Sequence, residues 1–246
     1  MSALAKTDST SHLGLRAVTR VLKGQEASDG AGVRLVRHIG GPRLAMLDPF
    51  LLLDAFGSED PDDYIAGFPE HPHRGFETVT YLHAGRMRHR DSAGHAGVIE
   101  AGGVQWMTAG RGIVHSEMPE QDRGRLAGFQ LWVNLPAAHK MMAPRYQEIP
   151  AEGIPVERRA GGVEVRVVAG TTGQGTRGPV RDLVTAVLYL DASLPAGATF
   201  EEAAPASHNA FLLVTEGEVE VDAGTPGGRP RVVAGELALL GPGGAV

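Results

Sequence analysis

No long amphipathic helix fits this chain. Thirty-four glycines and sixteen prolines break its 246 residues into short stretches in which apolar and polar side chains alternate. Gly and Pro interrupt helices, whereas alternation with period two turns one face of a strand toward a core. The fold class expected is therefore all-β. Strands are expected at 17–22, 33–38, 76–82, 103–107, 129–135, 163–168, 183–190, 211–215, 218–221 and 236–240. Val163, Val165 and Val167, alternating with Glu164 and Arg166, illustrate the pattern. The stretch after Pro136 reads as a helical turn between two halves.

The chain also repeats itself faintly. Residues 79–85 can be laid on 211–217, and with one extra residue 100–107 fall on 233–240, matching glycines and apolar spacing. Two copies are too few for a solenoid, so a duplicated β-barrel is expected. We expect a tail at 1–14, an N-terminal barrel at 15–140 and a C-terminal barrel at 141–246. The second barrel reads as truncated, because a closing strand is expected after Gly241.

Bulk properties narrow the function. The net charge is −6 with no basic block, which gives direct nucleic-acid binding no electrostatic basis. The run around Phe50 to Leu53 is far too short to span a membrane. The first residues lack the apolar centre of a secretory signal. Without cysteine there are no disulfides, no thiol chemistry and no Cys-based zinc site, which fits a cytoplasmic protein.

Chemistry concentrates in two short motifs, His71-Pro72-His73 and His115-Ser116-Glu117. Residues i and i+2 of a strand share a face. Two such pairs on facing strands can close a cage of three imidazoles and one carboxylate. Neutral imidazole suits Fe, Ni, Cu and Zn, and the carboxylate adds a hard anionic ligand. Four protein ligands on a six-coordinate ion leave two positions open, which suits dioxygen or a bidentate substrate better than structural zinc. The plain alternative is an exposed loop pair beside a solvated carboxylate. Under the repeat, Ala203 and Pro205 stand where His71 and His73 stand, so the metal site is expected in the N-terminal barrel only.

HPHRGFETVTY, HRDSAGHAGVIEAGGVQWMTAGRGIVHSEMPE and FQLWVNLP together resemble the pirin family of the cupin superfamily, closely over residues 30–150 and more loosely beyond. The resemblance implies a bicupin, two tandem cupin-type barrels of the double-stranded β-helix or jelly-roll kind. It implies one divalent transition metal, most simply Fe(II) with Mn, Ni, Cu or Zn as alternatives, on His71, His73, His115 and Glu117. Glu77, a ligand position in ordinary cupins, is then structural. It implies quercetin 2,3-dioxygenase-type ring opening of a flavonol with dioxygen, with Glu117 also accepting the substrate proton. Gln130 would face the cavity and Phe68 would sit at its mouth. The alternative from another class is an iron-dependent redox-sensing module that docks on a protein partner. A third is a cupin acting on a different small molecule.

The other histidines carry no motif. His83, His89 and His95 are expected on a solvated hairpin, and His38, His139 and His208 as ordinary surface or interface residues. Arg74 is expected to pair with Glu70 or Asp91, and the acidic run at 59–63 to form a solvated loop.

Overall fold

The computed structural model describes residues 14–222 and 229–246. Nineteen strands occur among them. In chain order these are β1 (Val18–Lys23), β2 (Gln25–Asp29), β3 (Val33–Ile39), β4 (Phe50–Ser58), β5 (Phe68–His73), β6 (Phe76–Ala84), β7 (Arg86–Asp91), β8 (Ala96–Glu100), β9 (Val104–Thr108) and β10 (Ile113–Pro119). They continue with β11 (Leu126–Asn134), β12 (Arg145–Ile149), β13 (Val156–Arg158), β14 (Glu164–Ala169), β15 (Tyr189–Ser193), β16 (Ala210–Leu213), β17 (Glu218–Glu220), β18 (Arg231–Val233) and β19 (Glu236–Leu240). The fold is all-β, as the alternation predicts. The helical turn after Pro136 is a short 3-10 turn, Ala137–His139.

The first barrel is a sandwich of two antiparallel sheets. The larger has the order β12-β9-β6-β11-β4-β3-β2, and the smaller β5-β10-β7-β8. Strands β6, β9 and β11 are covered on both faces, and each face reads differently. Thr80, Gln130 and Trp132 line a cavity between the two sheets. Val79, Tyr81, Trp106, Leu131 and Val133 point the other way, into a core completed by Val168, Val187, Leu237 and Leu239 of the second half. This apolar layer joins the two halves. At about 25 cal/mol per Å² of apolar surface removed from water, side chains of this size each contribute roughly 1.5–3 kcal/mol.

The repeat is visible as strand register. Val79 lies opposite Trp106 in the β6–β9 pair, and its counterpart Phe211 lies opposite Leu239 in the β16–β19 pair. The second half is made of three smaller sheets, β13-β14-β15, β1-β19-β16 and β17-β18.

Pairing crosses the boundary expected between residues 140 and 141. Strand β1, from the expected N-terminal barrel, pairs with β19 of the second half. Strand β12, from the expected C-terminal barrel, extends the first barrel beside β9. The strand expected at 183–190 begins only at Tyr189. Upstream of it the backbone of Arg181 and Asp182 is taken up by side chains of β12. Arg145 donates to the Asp182 carbonyl at 2.5 Å and Gln147 to the Arg181 carbonyl at 2.9 Å, so this stretch bonds across the interface rather than in a ladder.

Candidate metal centre and its cavity

Register brings the two motifs together. Strands β5 and β10 are antiparallel neighbours, with His71 directly opposite His115. The ring centroids of His71, His73 and His115 lie 4.5–4.9 Å apart. One ring nitrogen from each falls within 4.8 Å of the others. The turn before β10 is closed by Gly110, at φ +50°, whose carbonyl accepts a 2.8 Å bond from the Gly75 amide. That bond ties the chain leaving β5 to the chain entering β10.

The donor chemistry fits a transition metal. His73 Nε2 and both ring nitrogens of His115 are buried without a hydrogen-bond partner. Buried polar atoms are normally partnered, so three orphans at one point mark a place for a cation. Burial pushes His73 and His115 down to about 3, each assisted by neighbouring imidazoles, so both are neutral with a free lone pair near pH 7. His71 Nδ1 lies 2.8 Å from the Pro69 carbonyl. A carbonyl can only accept, so Nδ1 carries the hydrogen, and in the neutral ring the lone pair lies on Nε2.

Glu117 stands beside this cluster, on the same face of β10 and buried. The β5–β10 pairing shifts register between His115 and Glu117, so that Glu117 lies opposite Phe68. Its carboxylate belongs to a ring of side chains. Thr80 Oγ1 lies 2.7 Å from both Glu117 Oε1 and Gln130 Oε1, and Gln130 Nε2 donates to Glu117 Oε2 at 3.1 Å. The Thr80 hydroxyl has one hydrogen and cannot serve two acceptors at once. With Glu117 ionised, one acceptor goes unserved. With a proton on Glu117 Oε1, the ring closes: Glu117 donates to Thr80, Thr80 to Gln130, and Gln130 back to Glu117. Thr80 is the hydroxyl through which the carboxylate and the Gln130 amide are linked.

Above the cluster lies a cavity of about 630 Å³. Phe68, His71, His73, Phe76, Glu117, Gln130 and Trp132 are among its walls. Trp132 tilts against Phe76 at 4.7 Å and meets His73 edge-on at 5.2 Å, so an aromatic wall adjoins the imidazoles. A cavity of this size and lining suits a small, flat, largely apolar ligand.

Other expectations fare differently. His89 is not on a solvated hairpin; it is 1% exposed, because the β7–β10 register sets it opposite Glu117 on the inner face. Its ring stacks on Tyr146 and its Nε2 abuts the Glu148 carboxylate. His38 is also buried. His95 is exposed and bonds to Asp91 at 2.8 Å. Arg74 donates to Met141 Sδ at 3.5 Å, while Asp91 is taken by His95. Glu77 faces away from the imidazoles, toward the second half, and accepts from Thr108 at 2.6 Å. Asp54, buried in a cavity wall, was not singled out in the sequence; it lies inside an apolar run, and only the strand register shows which way it points.

Comparison with known proteins agrees with this geometry. The Pirin family model matches residues 32–133, which contain both histidine motifs. A "Pirin-like protein" of Caulobacter vibrioides is 58% identical over 207 residues, covering 84% of this chain and 75% of that one. A Pseudomonas aeruginosa protein named "Putative quercetin 2,3-dioxygenase" is 49% identical over 94% of this chain and 84% of its own. The crystal structure of a quercetin 2,3-dioxygenase from Acinetobacter baumannii superposes with a TM-score of 0.83 at 31% identity, over 94% of this chain and 82% of that one. Likeness of this extent, over a span that contains both histidine motifs, settles the family: the chain belongs to the pirins.

Proposed function

We propose that this protein is a metal-dependent dioxygenase that opens the ring of a flavonol, of the quercetin 2,3-dioxygenase type. The observation that carries the proposal is the placement of three imidazoles, with buried ring nitrogens of His73 and His115 left unpartnered, at the base of an aromatic cavity beside the Glu117 carboxylate. His71, His73 and His115 would hold one divalent transition metal, iron(II) first among the candidates, with Glu117 as the fourth ligand when its carboxylate leaves the Thr80–Gln130 ring. A bound metal supplies Lewis acidity to the hydroxyl and carbonyl oxygens of a flavonol and a redox centre for dioxygen.

The chain's own residues do the rest. Trp132, Phe76 and Phe68 present apolar faces to a flat aromatic molecule and exclude water from it. Glu117 Oε1 takes the proton of the substrate hydroxyl, and the Thr80 hydroxyl then turns its hydrogen to Gln130 and accepts from the protonated carboxyl. The names of the Pseudomonas and Acinetobacter relatives support the substrate class.

Elemental analysis of freshly purified full chain beside His71→Ala tests the metal. About one equivalent is expected in the parent chain and a loss of most of it in the variant. Oxygen uptake with quercetin by iron-, manganese-, copper- and nickel-loaded protein tests the reaction. No flavonol-dependent uptake with any of the four would refute it.

A further inference from the structure

A line of polar side chains leads away from the carboxylate ring across the cavity wall. In the β6–β11–β4–β3 register, Thr80 lies opposite Gln130, Gln130 opposite Asp54, and Asp54 opposite Arg37. Neighbouring strands are about 4.8 Å apart, so Asp54 is one spacing from Gln130 and roughly 10 Å from Thr80. Leu52 and Phe56, two residues either side on β4, line the same cavity. Asp54 thus places a carboxylate between two apolar neighbours of the cavity wall, with its side chain only 5% exposed.

Arg37 approaches this carboxylate from the next strand. Its Nε donates to Oδ1 at 2.8 Å and its Nη2 to Oδ2 at 2.7 Å, while Nη2 also reaches Asp29 at 2.7 Å. The pair fixes the plane of Asp54 and compensates its charge. It does not exhaust it: an ionised carboxylate accepts about four hydrogen bonds, and the described residues supply these two. The remaining capacity belongs to a group that faces the cavity. A hydroxyl donor there completes the site, and an anionic group is repelled.

We infer that Asp54 is a specificity-determining residue that accepts hydrogen bonds from hydroxyls on the distal ring of the substrate, while the opposite end meets the imidazole cluster. The inference rests on the flavonol reading above and adds which flavonols the cavity prefers. It predicts a ranking by hydroxylation of the distal ring, with quercetin (two hydroxyls) above kaempferol (one) and galangin (none).

The test uses metal-loaded full-length protein and measures dissociation constants of the three flavonols by tryptophan quenching, with KM and kcat alongside. One hydrogen bond to a charged acceptor is worth about a tenfold change in affinity, so quercetin is expected to bind about tenfold tighter than galangin. Asp54→Asn, which keeps the shape and one acceptor, should bring the two within about threefold, moving KM more than kcat at unchanged metal content. The double variant Arg37→Leu/Asp54→Leu removes both charges together and guards against misfolding from a lone buried arginine; it should lose the preference altogether. An unchanged preference in Asp54→Asn, or none in the parent protein, overturns the role of Asp54 while the flavonol reading stands. If no flavonol binds the metal-loaded parent, the flavonol reading itself falls, and this inference with it.

Discussion

His38 shows how burial alone can couple one side chain to the stability of the whole molecule. It is 6% exposed, its Nδ1 has no partner, and burial pushes it from 6.5 down to about 4. The unfolded chain therefore binds a proton between pH 6.5 and 4 that the folded chain refuses. Its contribution is fully present above pH 6.5 and is lost as the pH falls toward 4, at about 1.4 kcal/mol per unit. Chemical denaturation at pH 7 and pH 4.5 should show a smaller loss of stability for His38→Asn than for the parent chain, by roughly 2–3 kcal/mol; equal losses would rule the effect out. At this scale the sequence is legible where chemistry is paired with spacing. His71, His73 and His115 stand out because two ligand-type residues recur two apart. His89 and Asp54 do not, since a single polar residue in a strand has no partner in the linear pattern, and only the facing strand reveals which way it points.

Among the elements, the loop from Ala109 to Gly112 does more than connect two strands. Arg111 donates from its backbone to the Met142 carbonyl at 2.9 Å, and a Cβ on Gly110 would lie 2.2 Å from that same carbonyl oxygen. No side-chain rotation relieves a clash between Cβ and backbone, so Gly110→Ala must displace the loop and with it the start of β10. We expect a loss of roughly 2 kcal/mol or more in stability. Metal stoichiometry should fall with it, because His115 is two residues into the displaced strand; titration with a divalent metal under native conditions checks both together, and full retention of binding would separate the loop from the site. Glycine-rich turns and alternating strands could be read in the sequence because they obey local rules. The orientation of β11 could be read only from the family resemblance, not from the alternation. Both its faces are packed, Gln130 and Trp132 on the cavity and Leu131 and Val133 on the shared core, so alternation distinguishes the faces without saying which is which.

Taken whole, the molecule is two barrels that have exchanged edges. The duplication was legible, since glycine and apolar spacing survive in both copies. The exchange of β1 and β12 was not, because pairing between strands so far apart in sequence leaves no local mark. Arg16 reinforces the first exchange, donating to the carbonyls of Gly241 at 2.9 Å and Pro205 at 2.7 Å. Deleting residues 1–23 should therefore harm the far half more than the near one. Hydrogen exchange should accelerate at Glu236–Leu240 and Ala210–Leu213 and stay unchanged at Leu126–Asn134; uniform acceleration would instead mean that the barrels open as one unit. The same exchange has a consequence in time. Arg16 and Gly241 are 225 positions apart, so the first described strand is synthesised long before the strand it must meet. Closing so long a loop is entropically slow, and contacts of this range delay folding. Until then β1 presents an unpaired edge, the feature through which nascent β-chains associate with one another. The strands that carry the imidazole cluster, β5 and β10, both end before residue 120, so their own pairing does not have to wait for β19.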